Sequence, residues 1–268
     1  MSESHPPPSP EGVPGAVTDP SRVLAQELTF SGHDGDRIRG YLARRADTDS
    51  PAPGMIVIHE AGGLGEHIRD VVARFANIGY VTLGVDLYTR EGGPPDTSDP
   101  RALFARLFSI PDARVLGDLT GAAEVLRARE DVSGRVGCIG FCMGGRYALL
   151  FACAADRLNA AVDCWGGFVD RATPDARASL ERPTPPLEIA GQLHCPLYAA
   201  IGAEDHNPSP EIAEELRAAT AASGQDVVVE VFAGAGHAFF ADYRPTYEPV
   251  AAAQLWAQVV PFLDDHLR

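Results

Sequence analysis

Hydrophobic residues along the chain follow two periods, which predict strands and helices in turn. Residues 23–30 and 38–42 alternate as two strands of a hairpin, and the polar stretch 32–36 supplies its turn. The continuous apolar run 55–58 is typical of a strand that is buried on both faces of a parallel sheet. Apolar residues at helical spacing over 68–78 predict that a helix follows this strand.

The same order continues to the end of the chain. We predict further strands at 80–85, 135–139, 160–164, 197–201 and 227–232, and helices over 113–129, 145–155, 210–223 and 246–267. Strands that alternate with helices of this length imply parallel units with helices on both faces of the sheet. The predicted fold class is therefore α/β, with a mostly parallel central sheet and an N-terminal antiparallel hairpin.

Three stretches lack this pattern. Residues 1–21 are rich in proline and have neither an apolar core nor a basic start, which excludes a secretory signal and predicts a disordered tail. Residues 91–111 and 168–194 show no strand pattern, and we expect them to lie above the carboxyl edge of the sheet, where loops build sites. We predict a single domain over 22–268, a length that one α/β domain routinely reaches.

Composition and charge narrow the function. The 37 acidic and 22 basic residues give a net charge of −15, which disfavours nucleic acids and anionic membranes as partners. No apolar run approaches the roughly 18 residues that a membrane span requires. The five cysteines are odd in number and are not spaced as a disulfide framework, so we expect reduced thiols and a cytoplasmic location.

A strand that ends in a Gly-x-Cys-x-Gly pattern runs directly into a predicted helix. In this pattern Cys142 stands between Gly140 and Gly144. A nucleophile on a sharp strand-to-helix turn needs small neighbours, because larger side chains would collide. Free N–H groups and the dipole at the helix N-terminus would also stabilise a thiolate. We predict that Cys142 is a nucleophile, the alternative being a buried cysteine beside a glycine turn.

His237 and Asp205 are candidates for the base and the acid that such a nucleophile needs. His237 lies in a glycine-rich loop after the last predicted strand, and Asp205 follows the strand before it. The order nucleophile, acid, base is that of the α/β-hydrolase fold. Singly, a surface-loop histidine and a helix-capping or solvated acid are the alternatives, but together with Cys142 the two residues predict a catalytic triad.

Five segments carry a resemblance to a known family. They are residues 140–145, His59-Glu60, the Asp-Leu-Tyr-Thr-Arg stretch at 86–90, residues 202–205 and residues 236–239. In these segments the chain resembles the dienelactone hydrolases, or carboxymethylenebutenolidases, of the α/β-hydrolase superfamily, and the resemblance extends over residues 23–267. It implies that a cysteine nucleophile hydrolyses a small-molecule ester or lactone.

The resemblance also implies roles around the nucleophile. In the family a glutamate after the first parallel strand lies beside the thiol and takes part in activating it, and the matching residue is Glu60. A carboxylate there competes with the histidine for the thiol proton, and the alternative is a loop carboxylate bonded to backbone. The fold assigns the oxyanion to the N–H groups of Met143 and Ala61.

Arginines are the candidates for substrate recognition. The family binds a carboxylate-bearing lactone, and an arginine at the position of Arg90 grips that carboxylate. We assign Tyr88, in the same stretch, and Arg244 to substrate binding as well; a solvated or ion-paired Arg90 is the alternative. Family enzymes carry a second arginine four residues beyond the catalytic histidine, where this chain has Ala241, and Arg244 is the nearest arginine.

We therefore predict a hydrolase that forms an acyl-enzyme on Cys142 and needs no cofactor. No metal is expected, because the histidine spacing of a zinc protease is absent around His59-Glu60. The alternatives are a thioesterase or a general carboxylesterase of the same fold and, in another class, a non-catalytic thiol sensor. The sequence leaves the oligomeric state and the natural substrate open.

Overall fold

Eight strands form one sheet in the computed structural model, which describes residues 3–47, 50–170 and 179–268. The strands are β1 Val23–Ser31, β2 Arg37–Arg45, β3 Ala52–Ile58, β4 Val81–Val85, β5 Val132–Phe141, β6 Ala160–Cys164, β7 Leu197–Gly202 and β8 Val227–Phe232. Their order across the sheet is β1-β2-β4-β3-β5-β6-β7-β8. The pairs β1/β2 and β2/β4 are antiparallel, and the others are parallel.

Helices cover both faces of this sheet. They are α1 Glu66–Asn77, α2 Pro100–Ser109, α3 Asp112–Arg127, α4 Met143–Ala154, α5 Pro186–Ile189, α6 Glu211–Thr220 and α7 Pro249–Leu267. One apolar core joins α3, α4 and α6 to one face of the sheet, and a second joins α1 and α7 to the other. Ile56 and Val57 enter opposite cores, so β3 is buried on both sides as its apolar run predicts. The predicted fold class is confirmed.

The parallel register brings several strand ends to the same edge. Ile58 lies beside Gly140, and Gly140 lies beside Asp163, so β3, β5 and β6 end together. Ligand sites of open α/β sheets form at this carboxyl edge, where the loops after the strands meet. None of the helices that the structure describes is long and apolar enough to cross a bilayer.

The N-terminal segment corrects the prediction of a disordered tail over 1–21. Its described residues lie along the domain, and Val17 is fully buried in the core that α1 and α7 share. Ser4 forms an isolated bridge with Ala25, and the Ser9 hydroxyl donates a 2.5 Å hydrogen bond to Asp70 on α1. The many prolines suggested disorder, but the few apolar and hydroxyl residues between them give this segment enough partners to pack.

The two stretches without a strand pattern contain helices that the sequence analysis missed. In the stretch 91–111, helix α2 begins after Asp99, whose side chain accepts a 2.9 Å hydrogen bond from Arg101 N–H, and Pro100 occupies its first position. This is a standard helix start signal that the surrounding prolines and aspartates obscured. The stretch 168–194 holds α5 and a short 3-10 turn, while its residues 171–178 lie outside the described part.

Candidate active site

The turn between β5 and α4 holds Cys142 in a strained conformation. Cys142 has φ 54° and ψ −113°, in the region that residues other than glycine rarely adopt. A Cβ atom on Gly140 would lie 1.9 Å from the Gly144 carbonyl oxygen, and one on Gly144 would lie 2.2 Å from the Ile58 carbonyl oxygen. Glycine is therefore required at both positions for the strand, the turn and the helix to approach this closely.

Cys142 differs from the other cysteines of the chain. It is partly exposed, whereas the other four are buried: Cys138, Cys153, Cys164 and Cys195. Burial raises the pKa of the Cys153 and Cys195 thiols to about 12 each and that of the other two well above the usual range. Since the thiolate is the reactive form of cysteine, the structure makes Cys142 the accessible thiol and the other four inert.

His237 and Asp205 meet at the same edge from neighbouring loops. His237 Nδ1 lies 2.8 Å from Asp205 Oδ2. Asp205 is buried, and its other oxygen accepts a 2.9 Å hydrogen bond from the Asn207 N–H. The residue after the histidine, Ala238, is buried at φ 63°, so its backbone turns sharply there. These contacts orient the imidazole, as the acid of a triad does.

The environment of His237 favours its protonated form. Burial by itself lowers the pKa of His237, but hydrogen bonds to Asp205 and Cys142 outweigh burial and raise that pKa to about 10. The imidazole thus links the carboxylate on one side to the sulfur on the other. A cation beside Cys142 stabilises the thiolate, the form that attacks a carbonyl.

Two backbone donors stand where the sequence places the oxyanion. Met143 is the first residue of α4, and Ala61 follows β3 in a buried loop. Neither N–H group has a hydrogen-bond acceptor within the described ranges. Two free amides next to a nucleophile can hold the negative oxygen of a tetrahedral intermediate.

Tyr88, which the sequence analysis assigned to substrate binding, is buried in the structure. Its side chain is fully buried, and its hydroxyl donates a 3.1 Å hydrogen bond to the Ala61 carbonyl oxygen and lies 3.5 Å from Met143 Sδ. A residue without exposed surface does not face the substrate here. We therefore correct the assignment: Tyr88 supports the loop that carries Ala61.

His59 is a supporting residue that the sequence analysis considered only as a metal ligand. It is fully buried, and its Nε2 accepts a 3.1 Å hydrogen bond from the Leu87 N–H. Its Nδ1 therefore carries the proton and donates to the Glu60 carbonyl oxygen at 2.6 Å. Burial lowers the pKa of His59, in keeping with a neutral ring. His59 thus ties the loops after β3 and β4 together. Its place at the end of a buried strand was the available signal.

Glu60 is held by two residues of the loop that follows His237. Arg244 Nη2 lies 3.0 Å from Glu60 Oε1, and the Tyr243 hydroxyl donates to the same oxygen. Arg244 Nε also donates a 2.9 Å hydrogen bond to the Tyr243 oxygen. The structure thus brings together two predicted residues, Glu60 and Arg244, and adds Tyr243, which the sequence analysis missed. No hydrogen bond joins Glu60 to Cys142 among the described side chains.

Arg90 forms ion pairs with two carboxylates in this structure, and its predicted grip on a substrate stays a prediction. Its Nη1 and Nη2 lie 2.8 and 3.0 Å from the two oxygens of Asp118 on α3, which is fully buried. Its Nε lies 2.6 Å from Asp36 in the hairpin turn. This is the ion-paired arginine of the alternative interpretation. The planar guanidinium of Arg90 donates two parallel hydrogen bonds to the buried Asp118 carboxylate.

The chain is similar in sequence and in fold to known proteins. In the described ranges no group of three or more histidine, cysteine and acidic side chains could hold a metal ion. The model of the dienelactone hydrolase family matches residues 38–267. A protein of Escherichia coli with the name "Putative carboxymethylenebutenolidase" is 34% identical over 251 residues, which cover 93% of this chain and 90% of that protein.

Two further relatives agree with this match. A Bradyrhizobium protein with the name "Probable 2-oxo-3-(5-oxofuran-2-ylidene)propanoate lactonase" is 28% identical over 92% of this chain and 97% of its own length. The crystal structure of a "Putative Dienelactone Hydrolase" from Klebsiella pneumoniae superposes with a TM-score of 0.83 at 34% identity, covering 90% of this chain and 98% of that one. The chain therefore belongs to the dienelactone hydrolase family and is a hydrolase that acts on ester or lactone bonds.

Proposed function

We propose that this hydrolase cleaves its ester or lactone through an acyl-enzyme on Cys142, with His237 as base and acid and Asp205 as the residue that orients it. The observation that carries the proposal is the strained Cys142 turn beside a histidine that is 2.8 Å from a buried carboxylate. A structural cysteine has no need of such a backbone, whereas a nucleophile is presented to the substrate by it.

The reaction proceeds in two halves. The Cys142 thiolate attacks the carbonyl carbon, and the Met143 and Ala61 N–H groups hold the oxygen that becomes negative. The carbon–oxygen bond of the ester breaks as His237 gives its proton to the departing alkoxide. His237 then takes a proton from water, whose hydroxide attacks the thioester. The acid leaves, and the thiolate is restored.

Glu60 enters this scheme as a competitor for protons. A carboxylate close to the thiol would keep Cys142 protonated until it moves away. In the present arrangement Arg244 and Tyr243 hold Glu60, which leaves His237 as the base that acts on Cys142. We propose that this arrangement corresponds to the active state.

A small-molecule lactone or ester is the substrate class that we propose. The Bradyrhizobium relative is named for a lactone that carries a propanoate group, which supports ring opening as the reaction. For a lactone the leaving alkoxide belongs to the same molecule as the acyl group. The ring-opened chain, with its new hydroxyl group, therefore remains on Cys142 until water releases it.

Replacing Cys142 tests the proposal directly. Cys142→Ala should lower kcat/KM for a dienelactone and for p-nitrophenyl acetate about 10³-fold or more, because the nucleophile is lost. Cys153→Ala is the matched control, since it removes a buried thiol from α4 and should leave turnover near that of the wild type. Mass spectrometry of the quenched wild type should detect an acyl group on Cys142. Turnover by Cys142→Ala within tenfold of the control would overturn the proposal.

A further inference from the structure

The loop over residues 237–244, which we call the histidine loop, packs against the nucleophile turn. Its Phe240 ring stacks on the ring of Phe141, the residue before Cys142, with the ring centroids 5.9 Å apart. The Phe240 ring also stacks on Trp256 of α7, at 6.2 Å between centroids. The position of the histidine loop is therefore linked by direct contact to the turn that carries the nucleophile.

Asp242, in the histidine loop, is held by two side chains of α1. Its carboxylate forms an ion pair with Arg74, whose side chain is fully buried, and its Oδ1 atom lies 3.3 Å from His67 Nδ1. Burial by itself raises the pKa of Asp242, but the contacts with His67 and Arg74 outweigh burial and lower that pKa. A charged carboxylate therefore fixes the histidine loop to α1.

Arg74 is shared with a second carboxylate and with the N-terminal segment. Its Nε atom donates a 2.7 Å hydrogen bond to Asp70 Oδ2, and its Nη1 atom lies 3.5 Å from the Pro14 carbonyl oxygen. The Ser9 hydroxyl donates to the other oxygen of Asp70, so the N-terminal segment covers the arginine. Taking both charges of such a pair out of water costs about as much as their attraction returns, so stability alone does not explain the pair.

Tyr243 and Arg244 follow Asp242 directly, and both contact Glu60. The Tyr243 ring packs on His67 with the ring centroids 5.3 Å apart, and its hydroxyl donates to Glu60 Oε1. The Arg244 guanidinium lies 5.1 Å from the centroid of the Tyr243 ring and binds the same Glu60 oxygen at 3.0 Å. Tyr243 is 57% exposed. Exposed long side chains lose conformational entropy when they are held in one place, and a fixed backbone beside them lowers that cost.

We propose that Asp242 is a positioning residue for the reaction: its ion pair with Arg74 fixes the backbone from which the next two residues hold Glu60. Asp242 acts through Tyr243 and Arg244 and not on the substrate itself. The inference rests on the proposed function, in which a Glu60 carboxylate that is free to approach the nucleophile keeps the thiol protonated. Without the ion pair, Glu60 is held less firmly and competes for the thiol proton.

The pH profile of kcat/KM for p-nitrophenyl acetate tests this role, because its acid limb reports the ionisation of catalytic groups in the free enzyme. Asp242→Asn keeps the size of the side chain but removes its charge, so the bond to Arg74 weakens. The released Glu60 carboxylate then favours the protonated thiol, and the acid limb should move about one pH unit to higher pH. This shift lowers kcat/KM about tenfold on the acid side and little on the plateau.

Asp70→Asn is the matched control, because it removes a carboxylate from the same arginine while Asp242 keeps its ion pair. Both variants should lower the free energy of unfolding in urea, since each leaves the buried Arg74 with one carboxylate. Asp70→Asn should nevertheless leave the acid limb where it is in the wild type. If the limb moves equally in both variants, or moves in neither, Asp242 only supports the fold and the inference is wrong.

Tyr243→Phe examines the same role without changing the buried ion pair. The exposed ring stays and only the hydroxyl that binds Glu60 is lost, so this variant should fold even where Asp242→Asn does not. Its acid limb should move in the same direction by about half a pH unit, because Arg244 still binds Glu60. If Asp242→Asn does not fold, an unchanged limb in Tyr243→Phe overturns the inference.

A double-mutant cycle tests whether Asp242 acts through Glu60. In a Glu60→Gln background no carboxylate competes for the thiol proton, so adding Asp242→Asn should not move the acid limb further. A shift of the same size in both backgrounds would contradict the inference. Cys142→Ala separates it from the proposed function: turnover by that variant near the wild-type rate would contradict the function. An inactive Cys142→Ala together with an unmoved limb in Asp242→Asn would leave the function standing and refute the role of Asp242.

Discussion

The stretch after β5 and the stretch after β4 leave the same edge of the sheet but use their residues in opposite ways. After β5 the backbone turns sharply and presents the Cys142 side chain at the surface. After β4 the side chains of Tyr88 and Arg90 point into the molecule, where Tyr88 supports the Ala61 loop and Arg90 pairs with Asp118. Both stretches carried a family resemblance, yet in this structure the two side chains of the second are engaged by other parts of the protein.

The difference comes from what each stretch encodes. The β5 stretch encodes a backbone shape, which Gly140 and Gly144 permit through local sterics. The β4 stretch encodes two long side chains, whose direction depends on which distant groups are available to them. Asp118 lies 28 residues after Arg90 and still determines where that arginine points. Four substitutions test this contrast.

Asp205→Asn should have the largest effect. Cys142, in the β5 stretch, depends on His237 from another loop, and Asp205 orients that histidine. An amide no longer favours the charged imidazole, so kcat should fall on the order of 10³-fold. The His237 pKa, about 10 in the native protein, should drop. The titration of the His237 ring, followed by NMR against pH, should then show its midpoint at a lower pH. An unchanged profile would mean that Asp205 does not set the charge of His237.

The raised pKa of His237 also predicts how the free energy of unfolding changes with pH. The folded His237 pKa of about 10 lies above the value of 6.5 expected when unfolded. The stabilisation is therefore fully present below that value and is lost as the pH rises through about 10. Thermal unfolding of the wild type and Asp205→Asn should differ most at acid to neutral pH and converge towards the alkaline end.

Gly140→Ala should destabilise the fold far more than Gly92→Ala does. Gly92 lies in the connection after β4. At Gly140 the new Cβ would meet the Gly144 carbonyl oxygen at 1.9 Å, whereas at Gly92 nothing lies within 4 Å and the φ of 77° is the sole obstacle. We expect losses of about 3 kcal/mol or more and about 1 kcal/mol respectively. Urea unfolding measures both. Equal losses would show that the turn at Cys142 is not sterically fixed.

Arg90→Gln should cost stability without changing substrate preference. It leaves the buried Asp118 carboxylate without its bidentate partner, a loss of about 2 to 3 kcal/mol. Arg39→Gln is the control, because Arg39 is half-exposed where it pairs with Asp86 and should cost less than about 1 kcal/mol. The kcat/KM ratio for 4-acetoxybenzoate and its methyl ester reports binding. A ratio that falls in Arg90→Gln would restore the predicted substrate contact.

Tyr88→Phe should have the smallest effect, and it should appear in catalysis. Without the hydrogen bond to the Ala61 carbonyl, the loop that carries Ala61 loses one support worth about 1 kcal/mol. If the Ala61 N–H holds the oxyanion as proposed, this corresponds to roughly fivefold in kcat. Tyr80→Phe loses a comparable buried hydrogen bond, to Asp264 at the far end of α7, and should leave kcat unchanged. If both variants keep the same kcat, Tyr88 only fills space.

Much of the fold could be predicted because its signals are local. The predicted strand 227–232 has the same bounds as β8, and the hairpin, the buried strand β3 and helix α1 lie where their periodicity placed them. The misses share a cause. The N-terminal segment and the residues just before helix α2 are rich in proline and polar residues, which hid the helix start at Asp99 and the few apolar residues that let the N-terminal segment pack.

At the site, the sequence by itself determined the sharp turn at Cys142, the order of Cys142, Asp205 and His237, and the strand ends that carry them. These follow from periodicity and from the steric needs of glycine, which act over a few residues. The tertiary structure alone decided that Arg90 pairs with Asp118 and that Arg244 pairs with Glu60. Ion pairs join residues far apart in the chain, and a long side chain takes the direction in which it finds its charge satisfied.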